Sequence, residues 1–218
     1  MSIYLLDEDL WFPPVEEALE DGLLAIGGDL GTERLLLAYR SGIFPWFSED
    51  EPPMWWSPDP RFVLFPEELK ISKSMRQVLR SGTFEFRVNT AFREVIRHCR
   101  TTPRPGQGGT WIGDDIAAAY TQLHDLGYAH SAEAWHNGTL VGGLYGVWLG
   151  GVFFGESMFS HRTNASKYAF IRWVEWLKER QVQLIDCQVY TPHLESLGAT
   201  MITRQDFIGA LHALIGGV

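Results

Sequence analysis

The pattern of hydrophobic and polar positions changes character near residue 62. Upstream, residues 43–61 are dense in aromatic residues and proline, which predicts a stiff, irregular path after one short helix that begins near Thr32 and ends at Gly42. Downstream, alternation and helical spacing predict regular elements. In chain order these are a strand at 62–65, a helix at 72–80, a strand at 84–88, helices at 91–100 and 114–126, an antiparallel meander over 128–157 with a turn at Asn137-Gly138, a helix at 164–180, a strand at 183–189 and a strand–helix unit over 199–215.

Composition narrows the class of protein. Hydrophobic residues make up 45% of the 218 residues, enough for a substantial core. No apolar run is long enough to span a bilayer and no secretory signal pattern is present, so a cytoplasmic protein with no membrane partner is expected. Cys99 and Cys187 lie far apart, which excludes a disulfide framework and a cysteine-based zinc site.

Charge is distributed unevenly along the chain, although the net charge is −9. Residues 1–60 carry thirteen acidic and two basic residues, whereas residues 61–104 carry ten basic and four acidic ones. One row of basic side chains along a helix, a cationic stripe, is typical of a solvated helix surface. Two such stripes in succession favour contacts with the phosphates of a nucleic acid. The stripes predicted on the two helices of the basic segment are Lys73, Arg76 and Arg80, and Arg93, Arg97 and Arg100.

Three polar residues lie within otherwise apolar segments of the second half. Asp186 and Gln188 are two residues apart on the strand predicted at 183–189, so alternation puts both on one face and Cys187 on the other. Cys187 is therefore expected to serve packing and not to act as a nucleophile. Because burial of a carboxylate or an amide is costly without hydrogen bonds, the pair either bonds a neighbouring loop or faces a cleft. Glu156, at the end of another predicted strand, is a third polar group that can converge there.

Aromatic residues surround this polar group. Phe170, Trp173 and Leu177 recur at helical spacing, a stripe that is normally core packing but can also line a pocket for an apolar side chain. Loop tryptophans beside a basic segment either stack on nucleic-acid bases or pack between domains, and packing is expected for one of the adjacent pair at least. The tryptophans predicted to lie in loops are Trp46, Trp55, Trp56 and Trp111.

Seven short blocks of the sequence resemble those of the leucyl/phenylalanyl-tRNA–protein transferase family and stand in the same order. The resemblance runs from about residue 12 to about residue 207, nearly the whole chain, and seven ordered blocks are highly specific. The blocks are Gly27-Gly-Asp-Leu30, Gly42-Ile-Phe-Pro-Trp-Phe47, Trp55-Trp-Ser-Pro-Asp-Pro-Arg61, Gly109-Thr-Trp-Ile112, Gly155-Glu-Ser-Met-Phe-Ser160, Asn164-Ala-Ser-Lys167 and Leu184-Ile-Asp-Cys-Gln-Val189.

The resemblance implies an α+β fold, with a small N-terminal α/β domain at residues 1–61. A GNAT acyltransferase-like domain with a mixed, mostly antiparallel sheet is expected at residues 62–218. The implied activity moves leucine or phenylalanine, and methionine less readily, from aminoacyl-tRNA to the N-terminal arginine or lysine of a protein. This transfer marks the acceptor protein for N-end-rule degradation. A monomer is expected.

The resemblance also implies roles for particular residues. Trp46 and Trp111 match positions that hold the 3′-terminal adenosine, and Asp186, Gln188 and Glu156 match the polar centre. An apolar pocket takes the side chain of the transferred amino acid. Its matching residues are Leu144, Phe153, Met158, Phe170, Trp173, Leu177 and Ile185.

The chemistry requires no metal or organic cofactor, because an aminoacyl ester is already activated. The site must hold an uncharged α-amine against the ester carbonyl, and a free α-amino group has a pKa of about 7.7–8.0. We hypothesise that Gln188 contacts the attacking amine, that Asp186 orients Gln188, and that Glu156 contacts the aminoacyl α-ammonium. The proton acceptor stays open between Asp186 acting through Gln188 and the adenosine hydroxyl.

Three other classes of protein compete with this interpretation. A coenzyme-A-dependent N-acetyltransferase would share the GNAT-like fold, but the segment at its glycine-rich pyrophosphate loop is Ser160-His-Arg-Thr-Asn-Ala-Ser166, without glycine. A non-enzymatic RNA-binding module would explain the basic segment but not Asp186 and Gln188 on one face. A sugar-binding module would leave the basic stripes unexplained.

Overall fold

The computed structural model describes residues 3–102 and 112–216, and both ranges contain strands and helices. The strands are β1 (Tyr4–Leu6), β2 (Leu23–Gly27), β3 (Phe44–Pro45), β4 (Met54–Trp56), β5 (Arg61–Leu64), β6 (Glu85–Val88), β7 (Ala129–His136), β8 (Thr139–Leu149), β9 (Val152–Ser160), β10 (Leu184–Gln188) and β11 (Thr200–Ile202). The α-helices are α1 (Thr32–Arg40), α2 (Lys73–Arg80), α3 (Phe92–Thr101), α4 (Asp114–Asp125), α5 (Ala165–Lys178), α6 (Pro192–Glu195) and α7 (Arg204–Ile215).

The larger sheet has seven strands in the order β11-β5-β10-β9-β8-β7-β6. Its neighbours are antiparallel except for the parallel pair β9 and β10. The predicted α+β class with a mixed, mostly antiparallel sheet is therefore confirmed. The predicted hairpin turn also forms, since Asn137 and Gly138 have φ angles of 50° and 75°, the left-handed values that a two-residue turn of this kind needs.

The smaller sheet has the order β1-β2-β4-β3 and is followed directly by the larger one. Its apolar residues do not form a separate core: Leu35 of α1 and Trp55 of β4 belong to the same buried cluster as Val147 and Phe154 of the large sheet. The first strand of the large sheet begins at Arg61, the last residue assigned from the sequence to the N-terminal domain. The proposed boundary after residue 61 stays a prediction.

Helices cover both faces of the large sheet. Met75 of α2 and Trp173 of α5 are buried in one apolar cluster. Phe92 of α3 and Tyr120 of α4 belong to the other cluster. The helices α2 and α3 therefore lie on opposite sides of the sheet, flanking its edge strand β6 in the sequence.

Strand β9 carries a bulge at the position of Glu156. Tyr145 of β8 pairs with Ser157, whereas the next residue, Gly146, pairs with Gly155. Glu156 is the extra residue between these two pairs. A bulge bends the strand and re-aims a side chain, so Glu156 does not follow the simple alternation of the strand.

Strand β10 carries a second irregularity, beside the first. Asp186 pairs with Val63 of β5, whereas Gln188 pairs with Phe62, which leaves Cys187 as the extra residue. Gln188 also has a φ angle of 63°, a left-handed conformation that is uncommon for a residue other than glycine. The two strands that carry the polar centre are thus irregular at the same level of the sheet.

Three details differ from the sequence predictions. Trp55 and Trp56 lie in strand β4 and not in a loop, and Glu156 lies within β9 and not at its end. The short helix α6 was not expected at all. Among the described residues, no helix is both long and apolar enough to cross a membrane.

Candidate active site

A cavity of about 870 Å³ lies where β3 meets strands β8, β9 and β10 of the large sheet. The bulged segments of β9 and β10 contribute Glu156 and Gln188 to its wall, and Phe44 and Trp46 contribute from the N-terminal side. Residues of α6 close a further part of the rim. Most of the lining is apolar, which suits an apolar group with a few polar atoms.

The structure divides the seven side chains predicted for an apolar pocket into two sets. Trp173 and Leu177 are completely buried and lie outside the cavity wall. Trp173 instead packs its ring against the edge of Phe153, with centroids 5.2 Å apart, and so supports the wall from behind. The predicted residues that do line the cavity are Leu144, Phe153, Met158, Phe170 and Ile185.

Glu156 is held at the cavity wall by three side chains from three elements. The Tyr39 hydroxyl of α1 donates to Oε1 at 2.8 Å, and the Tyr120 hydroxyl of α4 donates to Oε2 at 3.0 Å. The amide Nε2 of Gln188 also donates to Oε1, at 2.9 Å. The carboxyl group is therefore fixed in position, while the side chain keeps partial exposure towards the cavity.

Burial raises the pKa of Glu156 from 4.5 to about 7. The hydrogen bonds from Tyr39 and Tyr120 oppose the rise, and the nearby negative charge of Asp186 adds to it. Both tyrosines have pKa values well above their usual range, first because they are buried and then because Glu156 is close. The tyrosines are thus donors at neutral pH, and Glu156 is the group of this cluster that changes its charge near pH 7.

A proton count for the cluster leads to the same conclusion. The hydroxyl groups of Tyr39 and Tyr120 also contact each other, so three oxygen–oxygen contacts link Tyr39, Tyr120 and Glu156. Two hydroxyl protons can occupy only two of these contacts. A protonated Glu156 supplies the third proton, and the ionised form leaves one contact without a proton. The contact that the ionised form leaves without a proton therefore adds to the effect of burial, and both raise the pKa of Glu156.

Asp186 lies in a different environment from Glu156. Its two oxygens accept from Nε and Nη2 of Arg61 at 2.8 and 2.6 Å, and both side chains are almost completely buried. The guanidinium of Arg61 lies between the rings of Phe44 and Phe207, with its Cζ 4.6 Å from each centroid. Arg61 also donates to the carbonyl of Gly42 at 3.2 Å. Asp186 and Arg61 therefore form a buried ion pair.

The link between Asp186 and Gln188 differs from the sequence hypothesis. Asp186 Oδ1 accepts the backbone N–H of Gln188 at 2.9 Å, while the Gln188 side chain turns towards Glu156. Asp186 thus holds the left-handed backbone of Gln188 and not its amide group. The predicted alternation is wrong here, because Cys187 also lines the cavity. The irregular pairing of β10 at this residue is the physical reason.

Cys187 is not suited to act as a nucleophile. Burial raises the pKa of its thiol far above the usual range, and the negative charge of Asp186 adds to this rise. The thiolate that a nucleophilic cysteine needs is therefore absent at neutral pH. The expectation that Cys187 serves packing agrees with its place in the buried apolar cluster around α5.

Trp46 stands at the rim of the cavity with 40% of its surface exposed. The ring of Trp56 lies 5.7 Å away, and its Nε1 donates to the backbone carbonyl of Trp46 at 2.6 Å. Trp55, in contrast, is completely buried, as expected for one of the two adjacent tryptophans. Trp46 thus presents an exposed indole face beside the cavity. The other tryptophan predicted to hold the adenosine, Trp111, lies outside the described residues.

His193 of α6 is a wall residue that the sequence did not indicate. Its Nε2 is buried without a hydrogen-bond partner, and its pKa is lowered by burial and then by the charge of Lys167. In the ranges 3–102 and 112–216, no three His, Cys, Asp or Glu side chains converge as a metal site would require.

The two basic stripes have different surroundings. Lys73, Arg76 and Arg80 of α2 are exposed and form no ion pair with any described residue. Since α2 and α3 lie on opposite sides of the sheet, the stripes do not form one continuous surface.

On α3, acidic side chains neutralise part of the stripe. Arg93 pairs with Asp125 at 2.9 Å, and Arg100 contacts Glu49 at 3.3 Å and also pairs with Asp114. Arg97, the remaining member, is exposed beside His98. The stripe on α2 therefore keeps more of its positive charge.

Sequence reasoning missed three residues that support the polar centre: Tyr39, Tyr120 and Arg61. Tyr39 lies in a helix rich in leucine and Tyr120 in one rich in alanine, where an aromatic residue is normally packing. Arg61 stands directly before a run of apolar residues in the sequence. That position does not indicate a buried ion pair with Asp186, which lies 125 residues further along the chain. Only the sheet order brings these residues together.

Fold and site together define an α+β protein with an apolar cavity for one group and a carboxylate–amide centre on its wall. Residues 63–212 match the sequence pattern described as leucyl/phenylalanyl-tRNA protein transferase, and residues 28–59 match that of its N-terminal domain. The chain belongs to the leucyl/phenylalanyl-tRNA protein transferase family, as the seven ordered blocks predicted.

Similar proteins carry the same name over nearly their whole length. The leucyl/phenylalanyl-tRNA–protein transferase of Syntrophobacter fumaroxidans is 56% identical over 97% of this chain and 90% of its own. That of Flavobacterium johnsoniae is 56% identical over 96% of this chain and 99% of its own. This likeness and the family match identify the protein as an enzyme of the aminoacyltransferase class.

Solved structures give only distant likenesses. L-PGS from Bacillus licheniformis is 16% identical, with 79% of this chain and 57% of that chain covered and a TM-score of 0.39. A GCN5-related N-acetyltransferase-like protein from Streptococcus suis is 12% identical, with 74% and 60% covered and a TM-score of 0.39. At these TM-scores the likenesses carry no argument about this chain.

Proposed function

We propose that the enzyme transfers leucine or phenylalanine, and methionine less readily, from aminoacyl-tRNA to the N-terminal arginine or lysine of acceptor proteins. The observation that carries this proposal is the apolar cavity of about 870 Å³ with the Glu156–Gln188 pair on its wall. Relatives named for such a reaction, at 56% identity over nearly the whole chain, support the choice of donor. Degradation of the acceptor under the N-end rule is the expected consequence.

The donor would place its apolar side chain deep in the cavity and its nucleoside at the rim. Leu144, Met158 and Phe170 offer apolar contacts without a charged group among them, which favours leucine, phenylalanine and methionine over polar side chains. The exposed indole of Trp46 is a platform on which the terminal adenine can stack. Trp111 is proposed as a second adenosine contact from the family resemblance.

The acceptor would approach from the polar side of the cavity. Its α-amine is placed beside the Gln188–Glu156 pair, close to the ester carbonyl of the donor. Such placement supplies much of the rate, since a bimolecular attack becomes effectively intramolecular. The carboxyl of Glu156, when ionised, also favours the cationic N-terminus of an acceptor that begins with arginine or lysine.

The tRNA body would lie on basic side chains outside the cavity. The exposed stripe Lys73, Arg76 and Arg80 is the first choice, because no described acidic side chain neutralises it. Phosphate contacts of this kind make binding weaken steeply with salt. Charged tRNA as a substrate makes the cytoplasm the expected location, and a single chain is expected to suffice.

The direct test is transfer of labelled leucine from leucyl-tRNA to a peptide that begins with arginine, with labelled acetyl-coenzyme A as the parallel donor. The proposal predicts a leucine–arginine peptide bond from the first donor and no acetylated peptide from the second. A matched peptide that begins with alanine should accept little. Acetyl transfer without leucine transfer would contradict the proposed donor and support the coenzyme-A-dependent alternative.

A further inference from the structure

Two carboxylates lie at the polar centre, and their surroundings assign them different tasks. We propose that Glu156 takes the proton from the ammonium of the acceptor, in place of the contact with the donor's α-ammonium expected from the sequence, and that Asp186 and Arg61 are positioning residues that fix Gln188. This inference rests on the proposed function and answers a question that it leaves open, namely which group frees the lone pair of the attacking amine. Three observations carry it.

The first observation is that both oxygens of Asp186 are engaged by the groups that the carboxylate holds in place. Oδ1 accepts Nε of Arg61 at 2.8 Å and the backbone N–H of Gln188 at 2.9 Å, and Oδ2 accepts Nη2 of Arg61 at 2.6 Å. Both side chains are buried, and the guanidinium of Arg61 also contacts the rings of Phe44 and Phe207. Protonation of Asp186 would leave the Arg61 guanidinium as an uncompensated buried cation, which is strongly unfavourable.

The second observation is that Glu156, unlike Asp186, has no cationic partner among the described residues. It faces the cavity, and it forms no ion pair with any lysine, arginine or histidine of the described residues. Oε2 accepts a hydrogen bond from Tyr120, and a carboxylate oxygen has room to accept a further one from a bound amine. The carboxyl group can gain a proton without leaving a buried charge unpaired.

The third observation is that the pKa of the Glu156 carboxyl group is close to the pKa of the acceptor α-amine. The pKa of Glu156, raised by burial to about 7, lies close to that of a free α-amino group, about 7.7–8.0, so the proton can move between them with little cost. The ionisable or charged groups around Glu156 are Tyr39 of α1, Tyr120 of α4 and Asp186 of β10, with its partner Arg61 of β5.

The proposed step conserves atoms and charge. The acceptor α-ammonium gives one proton to the Glu156 carboxylate, and the freed nitrogen lone pair attacks the ester carbonyl carbon. The carbon–nitrogen bond forms, and the bond from that carbon to the ribose oxygen breaks. The second proton of the nitrogen goes to the ribose oxygen, which leaves tRNA with a free hydroxyl, and Glu156 then returns its proton to water.

Asp186 and Arg61 would act on this step only through Gln188. The Asp186 carboxylate holds the N–H of Gln188 in a left-handed backbone conformation, which an isolated glutamine rarely adopts. In that conformation the amide Nε2 donates to Glu156 and leaves the amide oxygen available to the amine. Loss of the support should therefore slow every acceptor alike, whatever the basicity of its nucleophile.

The test compares two acceptors in single-turnover reactions at saturating substrates. One is an arginine-starting peptide, and the other is the same peptide with an aminooxy group in place of its α-amine, which is uncharged at neutral pH and needs no base before attack. Glu156→Gln should slow the amine by about 100-fold or more and the aminooxy acceptor by less than about 10-fold. In the wild-type enzyme, the rate with the amine should fall below about pH 7 much more steeply than the rate with the aminooxy acceptor.

Asp186→Asn is the matched variant, because the new side chain still offers an oxygen to the Gln188 N–H. It should slow both acceptors by the same factor, and the pH midpoint of the amine reaction should move lower, because the negative charge of Asp186 no longer adds to the rise in the pKa of Glu156. Equal loss of rate with both acceptors in Glu156→Gln would overturn the proposal, as would a selective loss with the amine in Asp186→Asn. If Glu156→Gln does not fold, Glu156→Asp takes its place, and the displaced carboxylate should again slow the amine more than the aminooxy acceptor. Failure of the proposed function itself would be distinct, since no peptide bond would form with either acceptor.

Discussion

At the scale of single residues, the polar centre combines a buried ion pair with a partly buried carboxyl group that can be protonated or ionised. Arg61 and Asp186 neutralise each other, whereas Glu156 is surrounded only by neutral donors from its nearest partners. The same kind of side chain thus serves two purposes within one site, and the environment decides which. A guanidinium that donates to a carboxylate favours its charged form, whereas desolvation without a cation raises the pKa of a carboxyl group, as it does for Glu156.

The ion pair gives a prediction about stability. Arg61→Met should lower the free energy of unfolding by about 3–5 kcal/mol, because Asp186 is left as an unpaired buried anion. Arg61→Met combined with Asp186→Asn should be less destabilised than Arg61→Met alone, since no buried charge remains. Urea unfolding of the single and double variants measures this difference.

Arg172→Met is the control for the loss of an arginine from an ion pair. Arg172 and Glu175 form a pair on the exposed face of α5, with both side chains more than 40% accessible. Exposed pairs contribute at most about 1 kcal/mol, so this variant should unfold nearly as the wild type does. A similar small loss in Arg61→Met would show that the buried pair does not hold the centre.

Residue types alone located part of the site. Glu156, Asp186 and Gln188 were visible because polar residues in apolar strands are rare, and the sequence singled them out. Tyr39 and Arg61 carried no such signal, since a tyrosine in an apolar helix and an arginine before a strand are ordinary. Their roles depend on neighbours 117 and 125 residues away, and no local pattern encodes such a distance.

At the scale of elements, the strands β9 and β10 explain why alternation failed where the chemistry lies. Each strand is irregular at one residue, and the sheet is closely packed at the bulge of β9. A Cβ atom at Gly146 would lie 2.0 Å from the carbonyl oxygen of Phe154, so glycine is required there. Sequence periodicity predicted both strands correctly, but it assumes regular pairing and cannot anticipate the extra residue that re-aims Glu156.

The helices α2 and α3 give a prediction about tRNA binding. Replacement of Lys73, Arg76 and Arg80 by Gln should weaken binding of charged tRNA and reduce the slope of log affinity against log salt by about 0.9 for each phosphate that is no longer neutralised. The matched variant replaces Arg93, Arg97 and Arg100, and it should have a smaller effect because two of these arginines already pair with acidic side chains. Filter binding over a range of salt concentrations measures both.

Comparison of the two variants shows which of the two basic stripes contacts tRNA. Equal and large losses of affinity in both variants would indicate that tRNA contacts both sides of the sheet around the edge strand β6. No change in affinity or in salt dependence for the α2 variant would contradict its proposed role. The lengths and positions of the two helices agreed closely with the sequence prediction, but their placement on opposite sides of the sheet could not be inferred from charge spacing.

At the scale of the whole molecule, the site is assembled from both sheets. Phe44 of the small sheet and Phe207 of the last helix enclose Arg61, which in turn holds Asp186 on the large sheet. Tyr39 of α1 reaches Glu156 from the N-terminal segment. The N-terminal part of the chain therefore supplies contacts that the polar centre needs, and the sequence resemblance, which runs through both parts, is consistent with that dependence.

The class of fold and the family were predictable from the sequence, because ordered motif blocks and a clear hairpin constrain them strongly. The shared core of the two sheets was not, since apolar residues on either side of residue 61 give no indication of whether they pack together. The cavity itself was predicted only as a set of apolar residues. Its boundary depends on which side chains lie in front, such as Phe153, and which lie behind, such as Trp173.

The central claim, that the acyl group of the donor lies in this cavity, is tested most directly by Met158→Trp. Met158 lines the cavity and is only half-buried, so a larger ring can enter the space that the donor side chain would occupy without disturbing the core. Single-turnover transfer of labelled leucine from leucyl-tRNA to an arginine-starting peptide should fall by about 100-fold, while the melting temperature stays close to that of the wild type. Undiminished transfer by a folded Met158→Trp enzyme would place the acyl group elsewhere and contradict the account.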